Sequence, residues 1–159
     1  MSTLSAEAKK LTATARIFAI SSNSNLIDRY TIIRNVEPEH WDFIISVAGI
    51  FAAISRLNHE DIIREDKKDL LDEITNAAID KYPDYIEACK NCKDFVDKNY
   101  KILKESRKGQ EYFSFSDSLG FWIVWNLFGH FPEQQDEANL VRPLGFLVVH
   151  AFFSWWDDK

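Results

Sequence analysis

Residues 38–57 read Pro-Glu-His-Trp-Asp-Phe-Ile-Ile-Ser-Val-Ala-Gly-Ile-Phe-Ala-Ala-Ile-Ser-Arg-Leu, and this order of side chains excludes most architectures. From Ile44 to Ile54 the only polar side chain is Ser46. Pro38 fits a first helical turn, and Glu37 and Glu39 lie near its positive end. A helix that is apolar on every side needs neighbours on every side. This segment is therefore expected at the centre of a helical core.

Helix signals continue in both directions. Towards the N-terminus, Ser5 caps a first helix reaching about Ile20, with residues 1–4 frayed and the run Ser21-Ser22-Asn23-Ser24-Asn25 as a break. Residues 26–35 can be helix or strand: Tyr30-Thr31-Ile32-Ile33 is strand-like, and Tyr112-Phe113-Ser114-Phe115 is the one credible mate. Towards the C-terminus, Asn58 and Asp61 suggest a cap for a third helix that ends before Pro83, with a seam at Ile63, Leu70, Ile74 and Ala77. A fourth helix opens at Pro83-Asp84 and runs to about Ser106. Its seam is Tyr85, Cys89, Cys92, Val96 and Leu103, and its outer face alternates charge at i,i+4 spacing, as in Lys93 with Asp97. Residues 107–115 read as a loop around Gly109. Ser116 caps a fifth helix reaching His130, and a last helix runs from near Ala138 or Leu140 to Trp156, with Pro143 close to its start. The expected fold is all-α: one domain, a bundle of about six helices with a hydrophobic C-terminal helical hairpin.

That hairpin carries an internal echo. Leu119-Gly120-Phe121 and Leu144-Gly145-Phe146 open two apolar segments, and in the same register Val124 matches Val149 and Phe128 matches Phe153. Two copies are too few for a solenoid. Glycine has no Cβ, so each one lets a neighbouring helix approach closely.

The 159 residues include 5 Trp, 5 Tyr and 12 Phe but only 5 Gly and 4 Pro, with a formal net charge of −6. That composition excludes a disordered, collagenous or disulfide-scaffold chain. Charge is uneven: residues 112–159 hold 2 Lys/Arg against 6 Asp/Glu and 13 of the aromatics. Nucleic-acid binding needs a concentrated positive face, which is missing, so no nucleic-acid partner is expected. The segments 119–131 and 144–156 are too short for the ~20 residues of a spanning helix, and no transmembrane segment is expected. The start of the chain is weakly amphipathic, but Glu7 and the single Arg16 argue against a targeting leader. Two cysteines suggest a reducing, cytoplasmic setting.

Motifs for chemistry are weak. Cys89-x-x-Cys92 falls within a helix on its apolar seam, away from the N-terminal position that activates a thiol, and no second pair completes a zinc site. Glu37-x-x-His40 has the spacing of one half of a di-metal site but has no second copy. His59-Glu60 lacks a second His four residues on, and Ser114–Ser118 has no nucleophile elbow. No catalytic residue, metal or cofactor is expected. The aromatic surplus points instead to association. The expected function is a non-enzymatic protein-binding protein: an adaptor, inhibitor or immunity-type partner, or a self-associating homo-oligomer. Trp155 and Trp156 would be its anchors, and Glu133, Asp136, Glu137, Asp157 and Asp158 an acidic rim favouring a basic partner. The alternative is a small-molecule binder or all-α enzyme with a pocket at Trp122, Trp125, His130 and His150.

Overall fold

The computed structural model describes residues 3–59, 62–106 and 111–157, and side chains outside 100–106 and 111–114. These residues form α1 (Thr3–Leu26), a 3-10 turn (Thr31–Asn35), α2 (Pro38–Leu57), α3 (Lys67–Lys81), α4 (Tyr85–Ser106), α5 (Glu111–Phe128) and α6 (Gln135–Phe152). The fold is all-α, as the periodicity requires. Every residue from Ile44 to Ala53 is buried, and α2 packs against α1, α4, α5 and α6. By length and composition α2 alone among the described helices could cross a membrane, contrary to the expectation that no segment is long enough. In the bundle 67% of that apolar window is buried against other helices.

Several boundaries differ from the sequence expectation. Helix α1 begins at Thr3 and continues through Ser21–Asn25, because Ser22 donates to the Ala19 carbonyl (3.0 Å) and Ser24 to that of Ile20 (3.4 Å). Hydroxyls bonded back to the preceding turn leave the helix unbroken. Residues 31–35 are a 3-10 turn that buries Ile33, and the proposed strand mate 112–115 belongs to α5. Asn58 does not start α3; its N–H closes α2 on the Ile54 carbonyl, and Asp61 lies outside the described residues. Ile63 is 91% exposed, and Ala78 rather than Ala77 completes the buried seam with Leu70 and Ile74. Arg64 explains the late start of α3. It donates to Asp66 (2.8 and 2.9 Å) and to Glu7 on α1 (3.1 and 3.2 Å), fixing the chain before Lys67 as a strap. Helix α6 starts at Gln135, so Pro143 lies inside it, and it ends at Phe152 with residues 153–157 in turns.

The most extensive helix contact joins α5 to α6. A Cβ added to Gly120 would fall on the Val141 carbonyl oxygen and 3.1 Å from the Gly145 nitrogen. A Cβ added to Gly145 would fall on the Ser116 carbonyl oxygen and 2.9 Å from the Gly120 nitrogen. Each glycine thus meets the carbonyl four residues before the other. The helices run antiparallel with local two-fold character, which is the physical basis of the Leu-Gly-Phe echo. Helix α5 stops at Gly129, whose φ of 77° suits glycine and whose N–H bonds the Trp125 carbonyl at 2.8 Å.

The one polar group inside the apolar run of α2 is satisfied. Ser46 donates to Asp42 Oδ1 (3.1 Å), and the Tyr82 hydroxyl, from the α3–α4 connection, donates to the same oxygen (2.9 Å). Arg16 of α1 lies 3.7 Å from Asp42 Oδ2. Burial, foremost, pushes the Tyr82 phenol up to about 12.

Two predictions follow from this packing. Gly120→Ala and Gly145→Ala will each cost about 3 kcal/mol or more, because backbone must move to admit the methyl. Gly129→Ala will cost only ~1–2 kcal/mol, since there the strain is local. Chemical denaturation of the three variants checks the order, and equal losses would refute it. The Tyr82 phenol stays protonated in the fold while an unfolded tyrosine ionises near about 10. Its contribution is therefore complete below pH 10 and lost as pH rises towards 12. Denaturant melts at pH 9 and pH 11 should show that loss, reduced in Tyr82→Phe.

Candidate interaction surface

Phe121 and Trp125 lie one turn apart on α5 and so share a face. The left-handed Gly129 turns the chain back, bringing Phe131 to 5.5 Å from Phe121 and 5.5 Å from Trp125, edge-on to the indole. Phe95 of α4 meets Trp125 at 6.0 Å. Trp125 is 39% exposed and Phe131 47%, so this four-ring cluster is open to solvent although its rings touch one another.

The connection that carries Phe131 is tied at several points. Pro132 is buried. His130 Nε2–H donates to Glu137 Oε2 at 2.8 Å, since a carboxylate oxygen only accepts. At the start of α2, His40 Nε2–H donates at 2.6 Å to the Asn126 carbonyl, one of the last carbonyls of α5. Glu133, whose N–H bonds the Phe131 carbonyl at 2.8 Å, and Asp136, in the first turn of α6, are exposed. The C-terminal end of α5 carries partial negative charge, whereas Asp136 lies at the positive end of α6 and accepts the Glu137 N–H at 3.0 Å. Arg142, the one Lys or Arg between 112 and 157, lies 3.6 Å from Asp117.

The residues expected from sequence as anchors are placed elsewhere. Trp156 is 4% exposed and buried in the core: its indole N–H donates to the Ala53 carbonyl (2.8 Å), and the Arg64 guanidinium lies 5.8 Å from its ring. Trp155 is half-buried and stacks on Phe152 at 6.2 Å. Asp157 is bound to Arg56 at 2.8 Å, so its charge is matched within the chain. Trp156, Asp157 and Arg56 line, with Glu7, Ile62, Ile63 and Arg64, a cavity of about 530 Å³. Glu137 is also no rim residue. It is 5% exposed at the first turn of α6, and its Oε1 has no partner among the described residues. Asp158 lies outside the described residues. Of the acidic rim, Glu133 and Asp136 remain exposed, and Glu133 lies two residues after the exposed Phe131.

The alternative pocket is dispersed. Trp122 is buried and donates its indole N–H to Asn91 Oδ1 (2.9 Å), while Trp125 faces solvent. His130 lies in the α5–α6 connection, bonded to Glu137 at the start of α6, and His150 lies in the last turn of α6, where it stacks on Phe146 at 5.6 Å. The rise of the helix from Glu137 to His150 is about 20 Å, so the two histidines do not face each other. Phe95 and Phe121 are half-buried and Phe131 exposed; the sequence places Phe95 on the apolar stripe of α4 and the other two in its aromatic surplus, without showing that the three meet Trp125. The one signal was Gly129 two residues before Phe131, a left-handed stop that folds the chain back.

Among the described residues no three His, Cys, Asp or Glu side chains converge to hold a metal. Cys92 is fully enclosed and Cys89 half-buried on the inner side of α4, and burial pushes both thiols above their ordinary value. A thiol reagent at pH 8 should therefore leave Cys92 unmodified until the protein is unfolded and modify Cys89 only slowly. Modification of Cys92 at the rate of a free thiol would contradict this placement. No family model matches the chain, and neither a curated protein nor a solved structure matches it.

Proposed function

We propose that this chain is a non-enzymatic protein-binding protein, an adaptor, inhibitor or immunity-type partner, that engages its partner through the Phe121–Trp125–Phe131 surface and the acids beside it. The observation that carries this reading is the exposure of Trp125 (39%) and Phe131 (47%) within one contiguous ring cluster on a rigid scaffold. Large aromatics dominate binding energy when a partner desolvates them. Glu133 and Asp136 at the edge favour a partner of opposite charge and speed its encounter. The scaffold supplies rigidity: α5 is pinned by the glycine contact to α6, and the loop holding Phe131 is pinned by His130 on Glu137.

Trp125→Ser combined with Phe131→Ser tests the reading without touching the core. The pair should retain the wild-type melting temperature to within a few degrees, since both side chains are part-exposed. In native mass spectrometry of chain purified gently from its source cells, wild type should carry a second polypeptide that the double variant lacks. A second polypeptide retained in full by the double variant would overturn the assignment. Trp156→Ala is a poor probe of binding, because it removes a buried indole and should unfold the chain before any surface effect is seen.

A further inference from the structure

We infer that the exposed surface reads a cation: Trp125 is the stacking face for an arginine of a basic, apolar protein segment, with Glu133 and Asp136 as flanking acids. This inference rests on the protein-binding reading above and names the chemistry of the partner. Elsewhere the fold covers aromatic rings with its own guanidinium groups. Arg29 lies 5.5 Å from the Tyr30 ring, Arg56 5.9 Å from Phe153 and Arg64 5.8 Å from Trp156. Among the described residues no cation lies over Trp125, Phe121 or Phe131, although Trp125 is the most exposed indole.

The charge around the cluster favours the same ligand. Glu133 is exposed two residues after Phe131, with its N–H on the Phe131 carbonyl at 2.8 Å, Asp136 is exposed in the first turn of α6, and Arg142 lies 3.6 Å from Asp117. Lys98, one turn along α4 from Phe95, leaves that edge mixed. An aromatic face attracts a guanidinium, and the planar group can also bond a carboxylate through two donors, which an ammonium cannot do as well. A second copy of the chain fits poorly. A two-fold contact through this patch would bring both pairs of acids into one interface. Anionic lipid would be repelled by the same acids.

The test uses the full chain and three fluorescently labelled amphipathic peptides of about four helical turns. They share a leucine face and carry Arg, Lys or Glu on its flanks. The Arg peptide should bind about tenfold more tightly than the Glu peptide, and added salt should narrow the gap. Trp125→Leu keeps an apolar side chain but removes the π face, and should weaken the Arg peptide about threefold while leaving the Glu peptide unchanged. Glu133→Gln with Asp136→Asn should flatten the salt dependence. Equal binding of the Arg and Glu peptides, abolished by Trp125→Ser with Phe131→Ser, would overturn the cation inference and keep the docking surface. Binding that the serine pair leaves intact, or no binding of any peptide at about 1 mM, would overturn both. Tighter binding to anionic vesicles than to the Arg peptide would replace the protein segment with a membrane. Circular dichroism melts check that each variant is folded.

Discussion

The backbone contact between Gly120 and Gly145 sets the arrangement of the C-terminal half. Nothing but main chain lies between α5 and α6 at that point, and a single methyl on either glycine would meet a carbonyl oxygen. Side chains of both helices are therefore displaced to the flanks of the contact. On α5, Leu119, Trp122 and Ile123 are buried, whereas Phe121 and Trp125 are pushed outwards. The exposed aromatic surface is in this sense a by-product of close helix packing. A similar economy operates on α2, where Gly49 receives the ring of Phe152 at a distance a Cβ would reduce to 2.8 Å. Helix α6 thus rests on α5 through one glycine pair and on α2 through another glycine.

Indole groups supply the second kind of tie. Trp41 donates to the Ala19 carbonyl, Trp122 to Asn91 and Trp156 to the Ala53 carbonyl, each at 2.8 or 2.9 Å. A buried indole N–H needs an acceptor, so each ring both fills volume and fixes an angle between elements. Two of these bonds take helix carbonyls, and that of Ala19 also accepts from Ser22. The bond from Trp156 to Ala53 fastens the turns after α6 to the C-terminal part of α2. Arg56–Asp157 and the Arg64 strap close the same corner.

Those ties explain which parts of the molecule could be read from its sequence. The centrality of α2 was legible because eleven consecutive positions leave no polar face. The glycine contact was legible as a repeated triplet. Helix α4 was legible because its inner seam and outer charges alternate at helical spacing. The segment 62–66 was not, because the salt bridge that holds it joins residues 57 positions apart. The serine-rich end of α1 misled for a different reason: side chains that usually break helices bond back to the preceding turn. For Trp155 and Trp156, composition marks an aromatic pair at the chain end but not the carbonyl 103 residues away that draws one of them inside. Surface and core aromatics have the same letters. Only the packing separates them.

Glu137 shows how the surface and the core constrain each other. Its carboxylate is 5% exposed with one oxygen unpartnered among the described residues, an arrangement that costs stability unless something offsets it. Two groups do so. The first turn of α6 places it at the positive end of a helix, and His130 donates to its other oxygen at 2.8 Å. That bond ties the connection to α6: without His130 the acid would lose its side-chain donor, and Phe131 is the next residue in the chain. A ring held in this way loses little conformational freedom when a partner covers it, so more of its contact energy remains for binding. The buried acid therefore belongs to the design of the surface although it never faces solvent.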